Sequence, residues 1–206
     1  MRIKDWLVTD SGECQARPSA REWDLIREHY YLHRFLTEII DLLDSAPQAS
    51  EEWDYLPQIR MRVRQLVMNS YWIQTQFQEI SPTTGVSILP LYDEIGYPLS
   101  IQNVTTAPAI ASPIHNHGTW GVVALIKGRE KHTFWRQRED LDCPGQIEFV
   151  GEKILNPGEI ISFMPNAIHQ VTAIGTEPVR TFHLYGDTQP KSRYRFEPLT
   201  NSIKRF

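Results

Sequence analysis

From about Trp72 onward the chain is a succession of short β-rich runs punctuated by Gly and Pro, and this pattern constrains the fold more than any other feature. The runs are WIQTQF (72–77), VSILPLY (86–92), LSIQNVTT (99–106), TWGVVALIKG (119–128), EKHTFWRQ (130–137), QIEFVGEKIL (146–155), EIISFM (159–164), HQVTAI (169–174), VRTFHLYG (179–186) and YRF (194–196). Turn signals at Lys127-Gly128, Asn156-Pro157-Gly158 and Gly175-Thr176 separate several of them. Many short strands at close spacing predict an antiparallel sandwich or barrel. The first 80 or so residues carry helical signals instead. Ser19 and Glu22 form a capping-box pattern, and Trp23, Ile26, Tyr30, Phe35, Ile39, Ile40 and Leu43 recur at helical spacing to about residue 46. Ser50 is a candidate cap for a second helix at about 57–70, with Pro57 in its first turn or breaking it. Helices first and strands after, without βαβ alternation, disfavour a parallel α/β sheet. The expected organisation is a helical segment, 1–80, packed on a β-barrel, 81–206, as a single structural domain.

Composition narrows the function classes. Forty-one per cent hydrophobic residues in a chain of 206 suffice for a real core. A formal charge of −4 offers no excess of positive charge for a phosphate backbone, so nucleic acid is not an expected partner. No apolar run approaches the roughly 18 residues of a membrane span, and the N-terminus lacks a signal-peptide core. The two cysteines, Cys14 and Cys143, fit free thiols in a reducing compartment. A cytoplasmic protein is expected, of oligomeric state that the sequence leaves open.

Four histidines fall in or beside the β-rich runs. His115 and His117 in PIHNHGTW are spaced i, i+2, so in an extended chain both imidazoles face one side and reach one metal ion. His169, after the Pro157-Gly158 turn, supplies a third ligand if its segment lies opposite. Thr181, His183 and Tyr185 share one face of another strand. His29 and His33, four apart, read as surface residues, His132 as a strand residue, Trp120 as packing, and Gly128, Arg129 and Glu130 as a hairpin turn.

Taken together, PIHNHGTWGVVALIKGRE, Met164-Pro165 before His169, and Thr181-Phe182-His183-Leu184-Tyr185 resemble the cupin-fold thiol dioxygenases, the family of cysteine dioxygenase and mercaptopropionate dioxygenase. The resemblance implies a double-stranded β-helix (jelly-roll) barrel with Fe(II) on His115, His117 and His169. It also implies a catalytic triad of Thr181, His183 and Tyr185, with a small thiol and O2 as the partners. The usual cupin glutamate ligand is replaced by Gly121, as is the cysteine that animal-type members link to the active-site tyrosine, so no thioether to Tyr185 is expected. Thr181 stands for the family's serine and keeps its hydroxyl. No Lys or Arg occurs between Arg64 and Lys127, where cysteine dioxygenase carries the arginine that clamps the substrate carboxylate. Cysteine is therefore expected to be a poor substrate, unless a guanidinium arrives from Arg60, Arg62, Arg64, Arg180, Arg193 or Arg195. Three imidazoles with open positions also suit a zinc or manganese hydrolase or lyase, and a non-catalytic small-molecule-binding cupin stays open beside it.

Overall fold

The computed structural model describes residues 4–19, 29–46, 52–138, 145–187 and 190–205. Among the described residues there are two sheets, antiparallel except where Asp5–Val8 runs parallel to Ile160–Phe163. The seven-stranded sheet has the order β2 (Cys14–Arg17), β1 (Asp5–Val8), β9 (Ile160–Phe163), β6 (Gly121–Lys127), β11 (Val179–Gly186), β4 (Leu99–Thr106), β3 (Val86–Asp93). The six-stranded sheet has the order β13 (Ser202–Arg205), β12 (Tyr194–Glu197), β5 (Ile114–His115), β10 (Ile168–Ile174), β7 (Arg129–Gln137), β8 (Ile147–Leu155). Strands consecutive in sequence fall repeatedly in opposite sheets. The fold is mainly β, a jelly-roll barrel of the kind the strand pattern predicts.

Three α-helices among the described residues, α1 (Leu32–Ser45), α2 (Glu52–Asn69) and α3 (Tyr71–Thr75), belong to the same body. Phe35 and Ile39 of α1 and Ile59, Val63 and Leu66 of α2 are buried in one cluster with Val122, Phe182 and Leu184 of the seven-stranded sheet. Phe35 meets Phe182 edge to face, 6.2 Å between centroids. The central strands of this sheet are thus covered on both faces, which explains why Gly121–Lys127 and Ile160–Phe163 are nearly unbroken apolar runs rather than alternating ones. Pro90 is tolerated because β3 is the edge strand and is irregular between Pro90 and Tyr92.

The structure departs from the sequence expectations at four places. Asp5–Val8 and Cys14–Arg17 are strands within the segment read as helical, and β1 runs parallel to β9, Asp5 opposite Ile160. Four-residue strands are too short to show a period, and a charged first residue hides this one. Of the helix expected up to about residue 46, the described part is Leu32–Ser45, residues 29–31 being non-helical; the Ser19–Glu22 capping box extends outside the described residues. Pro57 is the sixth residue of α2, which starts earlier than expected, and Ser50 lies outside the described residues. Where Trp72–Phe77 reads as a strand, residues Trp72–Thr75 belong instead to helix α3. Ser70 accepts a hydrogen bond from Ile73 N (3.3 Å), and Asn103 Nδ2 donates to the carbonyls of Ile73 and Gln76 (2.9 and 2.7 Å), closing the helix end from β4.

A buried charge cluster fixes the helices on the sheet. Arg60 Nη1 donates to Ser162 Oγ on β9 (2.9 Å), Arg64 Nη1 to Gly158 O (2.7 Å), and Arg64 Nη2 pairs with Asp5. All three charged side chains are at most 4 % exposed. Burial pushes the Asp5 carboxyl up, and Arg64 followed by Arg60 pulls it down. An Arg64→Met change leaves Asp5 short of its closest cation, and the expected cost is about 3–5 kcal/mol in urea unfolding. Adding Asp5→Asn is expected to return a large part of that loss, because the stranded charge is then gone.

Candidate metal centre

The barrel brings His115, His117 and His169 together from two segments far apart in sequence. His169 on β10 stands directly opposite His115 on β5, so both side chains point to one face. His117 follows two residues on, as the i, i+2 spacing requires. The candidate ligand nitrogens lie within 4.8 Å of one another, His117 Nε2 and His169 Nε2 being 3.2 Å apart, and all three rings are buried.

Whether these residues fit a metal ion is decided by the state of their nitrogens. His115 Nδ1 is 2.9 Å from Pro113 O; a carbonyl only accepts, so Nδ1 carries the proton and Nε2 keeps its lone pair. Burial pushes His115 down to about 4 and takes His117 and His169 well below the usual histidine range. Neutral rings with two Nε2 atoms at 3.2 Å leave lone pairs that a cation satisfies. The Nδ1 atoms of His117 and His169 are buried without a hydrogen-bond partner among the described residues. The donor set is all nitrogen, with no carboxylate beside it, and suits a borderline divalent ion such as Fe(II) or Zn(II).

Thr181, His183 and Tyr185 form a continuous chain on β11. Thr181 Oγ1 is 2.7 Å from His183 Nε2, and His183 Nδ1 is 2.7 Å from the Tyr185 hydroxyl. Burial lowers His183 to about 4, so this ring too is neutral, while burial raises the Tyr185 phenol and Arg193 pulls against that rise. The Tyr185 ring lies 4.8 Å from that of His117. Gly121 faces the same ring: a Cβ there would stand 3.0 Å from Cδ1 and Cε1 of Tyr185. Cys14 is on β2 and Cys143 lies outside the described residues.

A cavity of about 510 Å³ opens beside the cluster, lined by His117, Tyr185, Thr119, Gln102, Tyr92 and Arg193 among others. Of the arginines weighed from sequence, only Arg193 reaches it. Arg60 and Arg64 belong to the Asp5 cluster, Arg62 pairs with Glu38, Arg180 lies over Phe77, and Arg195 is exposed on β12. One guanidinium thus lines the cavity, by one of the routes left open above.

Sequence reasoning missed what places Arg193. Asn116, the residue between the two histidines, donates from Nδ2 to Ser192 O (3.0 Å) and accepts at Oδ1 from Tyr194 N (2.7 Å), bracketing Arg193 on both sides. Gly118, at φ +66°, packs so closely that a Cβ would lie 2.9 Å from Ser192 O. Glu130 was also missed as more than a turn residue: it is buried, with its carboxylate 3.2 Å from His132 Nε2. His29 and His33 are exposed, as expected, and Trp120 is packed against Tyr55.

No protein-family model matches the chain. Among solved structures it is similar to a recombinant oxalate oxidase in complex with glycolate, at 15 % identity and TM-score 0.42, over 56 % of this chain and 58 % of that one. It is similar as well to a cupin-2 domain from Rhodospirillum rubrum (16 %, TM-score 0.41, 55 % and 68 % covered) and to KdgF from Halomonas sp. (13 %, TM-score 0.41, 57 % and 93 % covered). The match spans about three-fifths of the oxalate oxidase chains. The jelly-roll assignment itself rests on the order of the strands in the two sheets. No helix among the described residues is long and apolar enough to cross a membrane.

The lowered histidines carry a stability consequence. Free histidine titrates near 6.5, and burial pushes His115 and His183 down to about 4 in the folded chain. Between these values the unfolded chain holds more protons, so stability is full above about pH 6.5 and falls as pH drops toward 4. Urea midpoints of metal-free protein at pH 7.5, 6 and 5 are expected to decrease in that order.

Proposed function

We propose that this chain is a non-haem iron thiol dioxygenase that converts a small thiol carrying a carboxylate to the sulfinic acid. The observation that carries the proposal is the convergence on one cavity of a carboxylate-free three-histidine cluster, the hydroxyl end of the Thr181–His183–Tyr185 chain, and the guanidinium of Arg193. His115, His117 and His169 would hold the ion. Bound iron supplies open positions for thiolate and dioxygen and the electrons that activate the latter. In the balance R–SH + O2 → R–SO2H, both oxygen atoms bond to sulfur, which loses four electrons to dioxygen.

The chain's own residues orient this chemistry. For the Tyr185 hydroxyl to donate into the cavity, His183 must carry its proton on Nδ1 and donate to the phenolic oxygen, and Thr181 must donate to Nε2. The neutral state of His183 permits that arrangement. Tyr185 then presents a fixed proton beside His117, where a thiolate or an oxygen atom accepts it. Arg193 holds the carboxylate by a charge-assisted hydrogen bond and thereby aims the sulfur at the imidazoles. The clamp arrives from the segment before β12, not from a strand upstream of the histidines.

Oxygen uptake by the ferrous protein, compared across cysteine, 3-mercaptopropionate, cysteamine and larger thiols, tests the reading. A carboxylate-bearing thiol is expected to have the highest kcat/KM, with sulfinate formed one for one with oxygen consumed. No uptake with any thiol, from protein that retains iron, would refute it and favour a hydrolytic or non-catalytic metal site.

Two variants test the roles. Arg193→Ala is expected to raise KM for the carboxylate thiol roughly ten- to a hundred-fold, the value of one charge-assisted hydrogen bond, and to leave cysteamine nearly untouched. Asn116→Ala is expected to imitate it in KM while the metal content stays at the wild-type level, since the bracket on Arg193 is lost and the ligands are not.

A further inference from the structure

Two carboxylates are buried among the described residues, Asp5 and Glu130, and they are treated very differently. Asp5 is compensated by Arg64 and Arg60. Glu130, 5 % exposed, lies on the inward face of β7 with His132 and Phe134, and no Lys or Arg among the described residues makes an ion pair with it. Its side-chain partner is His132, whose Nε2 donates at 3.2 Å. A carboxylate held inside an apolar barrel without a fixed cation is costly unless a positive charge resides nearby.

The interior supplies a place for such a charge. The His132 ring lies nearly parallel to His169, 14° and 5.9 Å between centroids, and against Phe163 at 5.9 Å. Glu130 thus stands one ring behind a candidate metal ligand. Its charge is also felt at His183 and Tyr185 across the barrel. On the metal side the bookkeeping is the reverse: three neutral imidazoles contribute no negative charge, and no carboxylate among the described residues joins their cluster.

We infer that Glu130 is the outer-sphere counter-charge of the metal centre, offsetting without coordination the positive charge that three neutral histidines leave on a divalent ion. This rests on the metal-site reading above and assigns the site a fourth determinant. Glu130 acts through His132 and through space, as a positioning and charge-setting residue. It favours retention of the divalent ion and, by favouring the more highly charged oxidised ion still more, lowers the reduction potential of the centre.

The test uses full-length metal-free protein titrated anaerobically with Fe(II), and separately with Zn(II), against a chromophoric chelator. Glu130→Gln keeps the volume and an oxygen that accepts from His132 Nε2, and removes the charge. It is expected to bind both ions roughly ten- to a hundred-fold more weakly and to raise the midpoint potential of the iron form. Glu130→Asp retains the charge and is expected to recover most of the affinity. Glu152→Gln, at an exposed position on β8, changes net charge equally and is expected to bind as wild type does. Unchanged affinity and potential in E130Q overturn the inference, and so does a loss in E130D equal to that in E130Q, which marks a packing role. If E130Q does not fold, E130D decides: affinity near that of wild type supports the counter-charge, and a loss of tenfold or more overturns it. Wild-type protein that binds neither ion would instead remove the metal site itself.

Discussion

The pairing of His169 with His115 across β10 and β5 is the contact on which the rest of the site depends. Side chains alternate along a strand, so a slip of one residue in β10 would turn His169 out of the interior and bring Ile168 or Gln170 to its place. β5 is only two residues long and cannot set this register by itself. The register comes from β7, which pairs with β10 from Ile168 opposite Trp135 to Ile174 opposite Arg129. That ladder also aligns His132 behind His169. The β7–β10 strand pair therefore determines both the orientation of the candidate ligand His169 and what lies behind it.

Much of this was legible in the sequence because it is written in short-range patterns. An i, i+2 pair of histidines and an i, i+2, i+4 series of Thr, His and Tyr become same-face sets in any extended strand, whatever the fold around them. What was not legible depends on contacts between distant segments. Asn116 bonds to residues 76 and 78 positions away, and nothing local distinguishes it from a polar linker. Glu130 follows a turn glycine and reads as solvated until the strand is placed against the opposite sheet. Arg193 lies in a segment whose basic residues are individually unremarkable. Helix α3 is the reverse case, where Trp, Ile and Thr give a strand signal and the cap at Ser70 with the anchor at Asn103 overrides it.

Helices α1 and α2 solve a packing problem that the barrel creates. The seven-stranded sheet commits the site side of β11 to Thr181, His183 and Tyr185, and so buries less apolar surface there than an ordinary sandwich. The outer face of β6, β9 and β11 makes up the difference against Phe35, Ile59, Val63 and Leu66. The Asp5–Arg60–Arg64 cluster then fixes the orientation of that layer. Polar function inside and apolar stabilisation outside are thereby divided between the two faces of one sheet.

The tripeptide His115-Asn116-His117 belongs to two groups of side chains at once. Its imidazoles join the three-histidine cluster and its central amide grips the backbone on either side of Arg193. Anything that orders one side of this short extended segment orders the other. An ion on the imidazoles and a carboxylate on Arg193 would therefore have linked binding free energies, and the linkage would be reciprocal: each would change the affinity for the other by the same factor.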